Sequence, residues 1–159
     1  MSPFSSIKIL DLTRVFSGPF ATRHFADFGA EVVKIEPPQG DDTRRFPPLI
    51  DDWSGYFEVL NRNKKSIVLN LKDENALQKF YRLCEECDVV VENFSADVKK
   101  KLKIDYPVIK KINPNVIYAS VSGISENVSR KYYDVIAQAE SGLISLNGDK
   151  EDMKNATAI

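Results

Sequence analysis

Short runs of β-branched and aliphatic residues alternate along this chain with segments of helical spacing, and this alternation constrains the fold most strongly. Five such runs predict strands, at Ile7–Leu12, Glu31–Glu36, Ser66–Asn70, Asp88–Glu92 and Asn115–Val121. Strands joined by helices of 10–15 residues form βαβ units with right-handed crossovers and a parallel sheet. We therefore predict an α/β fold built on a doubly wound, Rossmann-like parallel sheet.

Capping signals mark where the predicted helices begin and end. Pro19 lies in the first turn of the helix after strand one, where its missing N–H costs nothing, and Gly29 suits the position just past its end. Asp73 is a suitable N-cap for a helix that runs to about Glu86. Further helices are predicted at Ala96–Leu102, Tyr106–Ile112 and Tyr133–Leu146, and a long loop from Gln39 to about Gly55.

Composition excludes several classes of function. The chain has 159 residues, 43% of them hydrophobic, and a net charge of −1. That length is enough for one domain, and the charge gives no reason to expect nucleic acid or an acidic membrane as a partner. No apolar run approaches the ~18 residues that span a bilayer, and the N-terminus lacks the pattern of a signal peptide. We expect a cytoplasmic location.

The two cysteines form a CEEC motif that could indicate redox or metal chemistry. Cys84 and Cys87 share helical spacing with Leu77 and Phe80, which places both thiols near one apolar face. A zinc site needs four ligands, and the single histidine, His24, is far away in the sequence. We predict that the cysteines pack in the core and that the chain holds no metal.

Cationic and polar residues follow the predicted strands, at the edge where ligands bind to open parallel sheets. In chain order they are Arg14–Gly18, Asp41–Arg45, Lys72, Asn93 with Phe94, and Gly123 with Arg130 and Lys131. Many cations with few carboxylates suit a polyanionic ligand with a flat ring, such as a nucleotide. The alternative, that each cation is a solvated loop residue, stays open at this point.

Two segments combine a polar cluster with a β-branched run, NRNKKSI at 61–67 and VVVENFS at 89–95. We predict that each contributes a ligand-facing loop at the end of a buried strand. The usual nucleotide and hydrolase signatures are missing from the sequence, which has no GxGxxG after strand one, no GxxxxGK[ST] and no GxSxG. Dehydrogenase, kinase and hydrolase functions therefore lose support.

A series of stretches resembles the family III (CaiB/BaiF-type) coenzyme A transferases. They are LDLTRVFSGPFATRHFADFGAEVVKIEPPQGDDTRRF, YFEVLNRNKKSIVLNLK, VVVENFS, INPNVIYASVSG and YYDVIAQAESGLISLNG, in order and at family spacing. The resemblance implies a transferase that moves coenzyme A (CoA) between carboxylic acids, through a mixed anhydride on an aspartate. It also implies CoA or acyl-CoA as substrate, no metal, and a homodimer of interlocked chains.

The resemblance also implies roles for particular residues. Arg14, Val15, Phe16 and Ser17 match the turn that lines the CoA and acyl sites. Cofactor contacts are implied for Leu69, Lys72, Asn93 and Phe94, the last two near the pantetheine and adenine, and for Lys101 and Lys131, near the phosphates. Tyr133 is a candidate acyl-site contact.

Departures from the family pattern keep alternatives open. Racemase members carry a histidine where Tyr133 stands, and formyl- and oxalate-specific members carry a glutamine and a tryptophan where Phe16 and Phe46 stand. Transfer is favoured over epimerisation, because tyrosine accepts protons poorly at neutral pH, and the acyl group is left open. A 2-methylacyl-CoA racemase and a non-catalytic interaction module remain the alternatives.

The resemblance further implies that the nucleophilic aspartate follows Ile159, since Asp149 and Asp152 come too early. We therefore expect residues 1–159 to form the CoA-binding N-terminal portion of a longer transferase. In that portion the catalytic segment and a smaller domain would be absent, and the isolated chain would be inactive.

Overall fold

The computed structural model describes residues 2–123 and 132–146. Within them the strands are β1 (Lys8–Asp11), β2 (Glu31–Glu36), β3 (Leu49–Ile50), β4 (Trp53–Ser54), β5 (Lys65–Val68), β6 (Val89–Glu92) and β7 (Ile117–Ser120). The helices are α1 (Ser17–Asp27), α2 (Gly55–Asn61), α3 (Glu74–Glu86), α4 (Ala96–Leu102), α5 (Tyr106–Ile112), α6 (Asp134–Glu140) and α7 (Leu143–Leu146).

Five of these strands form one parallel sheet in the order β5-β2-β1-β6-β7. The chain starts in the middle of the sheet, builds outward through β2 and β5, and then crosses to β6 and β7 on the other side. In the central register Leu10 lies opposite Val33 on one side and Val90 on the other. The predicted doubly wound α/β fold is confirmed, and its topological switch point lies between β1 and β6.

Two apolar layers cover the sheet, because successive strand residues point to opposite faces. Ile9 and Val32 face a smaller cluster with Ala26 and Ala30, which places α1 on that side. The larger cluster lies on the opposite face and joins the strands to α3 and the α4–α5 region through Leu10, Leu12, Ile35, Val90, Leu77, Phe80, Cys84, Ile104 and Ile109. Strands buried on both faces explain the nearly continuous apolar runs.

The predicted capping residues act at the helix ends. The Asp73 carboxylate accepts a hydrogen bond of 2.9 Å from the Ala76 N–H, which satisfies one of the free donors at the start of α3. Gly29 follows α1 with φ of +95°, a left-handed conformation that glycine adopts at little cost.

Three features differ from the sequence prediction. The predicted loop from Gln39 contains a 3₁₀ turn at Asp42–Arg45 and a short antiparallel ribbon of β3 and β4. Helix α2 was not predicted; it directly follows the segment predicted as a loop, and its N-cap, Ser54, belongs to β4. The single helix predicted over Tyr133–Leu146 is two helices, since Gly142 adopts a φ of +79° between them.

Both cysteines are buried free thiols, as the packing prediction requires. Cys84 belongs to the larger apolar cluster, and the Cys87 thiol lies 3.6 Å from the Cys84 carbonyl oxygen. The Asn113 side chain donates to both cysteine carbonyls, at 3.0 and 2.8 Å, and ties the end of α3 to the end of α5. Among the described residues, no group of three His, Cys, Asp or Glu side chains could hold a metal ion.

No helix in the described ranges is long and apolar enough to cross a membrane.

Candidate functional site

The turn after β1 and the loop after β6 meet at the topological switch point. The Asn93 side chain joins them through two hydrogen bonds to the Arg14 backbone, 79 residues away. Its Oδ1 accepts from the Arg14 N–H at 3.0 Å, and its Nδ2 donates to the Arg14 carbonyl at 2.8 Å. In doubly wound sheets, ligands bind in the crevice at this position.

An exposed cation and an aromatic ring lie beside this junction. The Arg14 guanidinium carbon is 5.6 Å from the centroid of the Phe94 ring, within the range of a cation–π interaction. The Arg14 side chain remains 44% exposed, and its contact with Asp42 is long, at 3.9 Å. An ion pair that is exposed and long contributes little, so Arg14 is available to an anionic ligand.

The next residues of the turn present apolar groups to solvent. Val15 has a φ of +70°, a left-handed conformation that is unusual for a β-branched residue. Phe16 is half exposed and stacks on Phe20, with centroids 5.3 Å apart and planes 10° apart. Tyr56 lies 6.4 Å from Phe16 and 5.5 Å from Phe46, so these four rings form a continuous aromatic surface beside the turn.

A buried ion network supports the turn from beneath. Asp11, at the end of β1, accepts hydrogen bonds from the Thr13 N–H (2.9 Å), the Thr22 hydroxyl (2.7 Å) and the Lys64 ammonium (2.9 Å). Burial alone would raise the pKa of Asp11, but the ammonium groups of Lys64 and Lys34 outweigh it and lower that pKa. The carboxylate is therefore ionised.

Lys34 extends this network to the loop after β2. Its fully buried ammonium donates to the Thr13 carbonyl at 2.8 Å and lies 3.0 Å from Asp41 Oδ2. The Asp41 backbone N–H in turn donates to Glu36 at 3.0 Å. The turn after β1 is thus attached to the neighbouring strand by side chains that have no access to solvent.

Glu36 anchors the same loop. It accepts two hydrogen bonds from the Arg44 guanidinium, at 2.7 and 2.6 Å, and one from the Ser66 hydroxyl at 2.5 Å. Burial would raise the pKa of Glu36, yet the hydrogen bonds from Arg44 and Ser66 prevail and lower it to about 2. Arg44 is therefore committed to a structural ion pair.

A second buried ion group lies on the other flank of the crevice. The Lys99 ammonium is 2.9 Å from Glu92 Oε1 and 3.1 Å from the Ser120 hydroxyl, which also donates to Glu92. Glu92 Oε2 accepts from the Phe94 N–H at 2.7 Å. This group fixes the loop that carries Asn93 and Phe94.

The structure brings six of the predicted site residues together at the switch point: Arg14, Val15, Phe16, Ser17, Asn93 and Phe94. Leu69 and Lys72 follow β5 at the same edge of the sheet; Leu69 is half-buried and its N–H donates to the Glu36 carbonyl at 2.8 Å. Lys101 is exposed on α4, and the structure shows no contact between it and the turn. Lys131 lies outside the described residues.

Tyr133 is 64% exposed at the start of α6. Within residues 2–123 and 132–146, its side chain makes no hydrogen bond or ring contact that would join it to the switch point. Its predicted place in an acyl site therefore stays a prediction.

The prediction that NRNKKSI forms a loop at the end of a buried strand was wrong. The polar part of this segment precedes β5, whereas ligands bind where strands end. Arg62 and Asn63 bind Asp27 at the end of α1, with Arg62 Nη2 at 2.7 Å, and the Lys64 ammonium is buried against Asp11. These three side chains make charged and polar contacts within the fold.

Sequence reasoning missed Asp11, Lys34 and Glu36 as supports of the site. A signal was present, since each is a charged residue within or ending a strand that is covered on both faces. A buried charge requires a partner, so the presence of these residues in buried strands implies an oppositely charged side chain nearby. The partners could not be named, because Lys64 is 53 residues from Asp11.

Comparison with known proteins gives the family. The sequence model described as CoA-transferase family III matches residues 4–159. This chain belongs to that family. A CaiB/BaiF family protein from Brucella suis has a crystal structure that superposes with a TM-score of 0.90 at 32% identity, over 99% of this chain and 44% of that one. The predicted family is confirmed.

Two relatives of named activity show the extent of the match. The acetyl-CoA:oxalate CoA-transferase of Acetobacter aceti is 45% identical over 92% of this chain and 39% of its own length. The succinyl-CoA:glutarate CoA-transferase of Mus musculus is 44% identical over 95% of this chain and 36% of its own length. The chain thus spans less than half the length of these relatives.

Proposed function

We propose that this chain forms the CoA-binding part of a CoA-transferase that moves coenzyme A between carboxylic acids. The observation that carries the proposal is the junction at the β1–β6 switch point, where the Asn93 amide holds the Arg14 backbone beside an exposed guanidinium. CoA is a nucleotide with a phosphorylated ribose, and doubly wound sheets bind nucleotides at such a crevice.

The exposed side chains around the junction match the parts of CoA. Arg14, Lys72 and Lys101 are exposed cations that suit phosphate groups, and the structure gives no close ion pair to Lys72 or Lys101 among the residues it describes. Phe94, half-buried beside Arg14, supplies an aromatic contact for the adenine and pantetheine. Val15 and Phe16 offer apolar surface on the acyl side of the same turn.

The proposed reaction is covalent. An aspartate carboxylate attacks the thioester carbonyl of acyl-CoA; a C–O bond forms, the C–S bond breaks, and CoA leaves as the thiolate. The CoA thiolate then attacks the aspartyl carbonyl of the mixed anhydride, which releases the donor acid and leaves CoA as an aspartyl thioester. The incoming carboxylate displaces CoA from that thioester to form a new anhydride, and the CoA thiolate takes the new acyl group and frees the aspartate. We propose that the 159 residues bind and orient CoA for this reaction. The transferase names of the reported relatives favour transfer over epimerisation.

Isothermal titration of CoA and 3′-dephospho-CoA into the chain tests this proposal. We expect CoA to bind more tightly than the dephospho form, because the 3′-phosphate adds charge-assisted hydrogen bonds. Lys72→Gln should weaken CoA about fivefold, the equivalent of one hydrogen bond of about 1 kcal/mol. Lys65→Gln is the matched control, since Lys65 lies at the opposite end of β5 and pairs with Glu31 at 2.5 Å.

The proposal is wrong if neither CoA nor 3′-dephospho-CoA gives a heat of binding. Equal weakening by Lys72→Gln and Lys65→Gln would also contradict it, since it would show only a diffuse charge effect. The cytoplasmic location and the homodimer stay predictions of the sequence.

A further inference from the structure

Asn93 was predicted from the resemblance to contact the cofactor, yet its amide is directed at the protein backbone. Oδ1 and Nδ2 both bond the same residue, Arg14, one to its N–H and one to its carbonyl, at 3.0 and 2.8 Å. A side chain that pairs with both polar groups of one residue sets that residue's backbone orientation. The Asn93 amide therefore binds the turn after β1.

The residue that follows Arg14 adopts an unfavourable conformation. Val15 has a φ of +70°, where a Cβ crowds the backbone and a β-branched side chain crowds it further. Such conformations persist only when their surroundings over-determine them, and they occur often at functional sites. Val15 is also 44% exposed, so its side chain gains little burial that could offset the cost.

Hydrogen bonds hold the backbone on both sides of Val15. On the N-terminal side, Thr13 is held through its N–H by Asp11 and through its carbonyl by Lys34. On the C-terminal side, the Phe16 carbonyl accepts the Phe20 N–H at 2.8 Å within α1. Between these fixed points, Asn93 supplies the two hydrogen bonds to the Arg14 backbone.

We propose that Asn93 is a positioning residue that holds Val15 in its left-handed conformation, and so sets the direction in which Arg14 and Phe16 face CoA. The identity of the ligand rests on the proposed function. The two hydrogen bonds from the Asn93 side chain to the Arg14 backbone, here called the clip, belong to the free protein and do not depend on that function. Without the clip, Val15 relaxes to a negative φ, and the turn no longer presents its flanking side chains together.

A double-mutant cycle between Asn93→Ala and Val15→Gly tests the clip, because glycine adopts a φ of +70° without the cost that valine bears. With Val15 present, Asn93→Ala should weaken CoA about tenfold, because binding must then also return Val15 to its left-handed conformation. In the Val15→Gly background, the same change should cost less than threefold. Val15→Ala is the matched control, since it keeps a Cβ and should leave the tenfold effect in place.

Two further measurements separate positioning from a general loss of folding. Far-UV circular dichroism should show each variant folded at the temperature of titration. The NMR backbone chemical shifts and couplings of residue 15 should change from left-handed to extended values in Asn93→Ala, with or without CoA.

The outcomes are distinct. If Asn93→Ala weakens CoA equally in the valine and glycine backgrounds, Asn93 contacts the ligand itself and the inference is wrong. The inference is also wrong if the Val15 NMR parameters are unchanged by Asn93→Ala. If CoA binds to no variant while those parameters change, the clip is supported and the proposed function fails.

Discussion

Replacing Lys64 by methionine tests the buried ion network beneath the turn. The Lys64 ammonium is 1% exposed and donates to Asp11 Oδ2 at 2.9 Å, the Pro19 carbonyl at 3.0 Å and Asn61 Oδ1 at 2.9 Å. Methionine keeps an unbranched apolar stem, so little packing is lost. The substitution therefore removes the charge and three hydrogen bonds while filling most of the same space.

The expected cost is about 3–5 kcal/mol in the free energy of unfolding, the usual price of removing one partner of a buried ion pair. The pair itself is not the source of that energy. Burial lowers the pKa of Lys64 against the pull of Asp11, which shows that placing the ammonium there is costly. The loss comes from the Asp11 carboxylate, which is left buried without its nearest cation.

Urea unfolding at pH 7, followed by circular dichroism, measures this cost. Lys65→Met is the matched control, since that neighbouring lysine is 72% exposed and should change stability by less than about 0.5 kcal/mol. Asp11→Asn combined with Lys64→Met should recover part of the loss, because the stranded charge is then gone.

The pH dependence gives a second, independent test. The wild-type pKa of Asp11 is lowered, so its stabilising contribution is present above its unfolded pKa and is lost as pH falls through the folded value. Without Lys64 that pKa rises, and protonation then relieves the buried charge. The difference between wild type and Lys64→Met should narrow from pH 7 to pH 4. A cost below about 1 kcal/mol, or one that does not change with pH, would refute the buried pair.

Two further predictions concern the loop anchor and the core. The pKa of Glu36 is lowered to about 2, so up to about 3 kcal/mol of stability should be lost as pH falls from about 4.5 to 2. Urea midpoints measured across that pH range test this prediction. The midpoint should change less with pH in Glu36→Gln than in the wild type, and an equal change in both proteins would contradict the prediction. Phe80 is fully buried, so Phe80→Ala should cost about 3–5 kcal/mol in the same assay, against less than about 1 for Val59→Ala on the exposed face of α2. Similar losses in both would contradict the assigned core.

Local patterns predicted much of the fold from the sequence. The bounds of β2, α4 and α5 agree with those expected, because the apolar spacing and the flanking turn residues are local signals. Helix α2 was not predicted, since its N-cap, Ser54, belongs to the ribbon of β3 and β4, which the sequence did not reveal. The sequence shows a glycine at position 142, but it did not show that a helix ends there.

For the candidate site, the sequence predicted where the residues lie but not how they contact each other. Arg14 and Asn93 follow strands that the sequence placed in one parallel sheet, so both were expected at its carboxyl edge. That Asn93 bonds the Arg14 backbone was not predictable, because it depends on β1 and β6 being neighbours in the sheet.

By itself, the sequence determined the five strands of the main sheet, their parallel arrangement and the family, since each depends on periodicity or on motifs read in series. Only the tertiary structure decided which cations face solvent and which are buried. Lys64 and Lys72 both adjoin β5, yet Lys64 pairs with Asp11 in the interior while Lys72 is exposed. A buried charge is tolerated only where an opposite charge meets it, and here the fold brings that partner from 53 residues away.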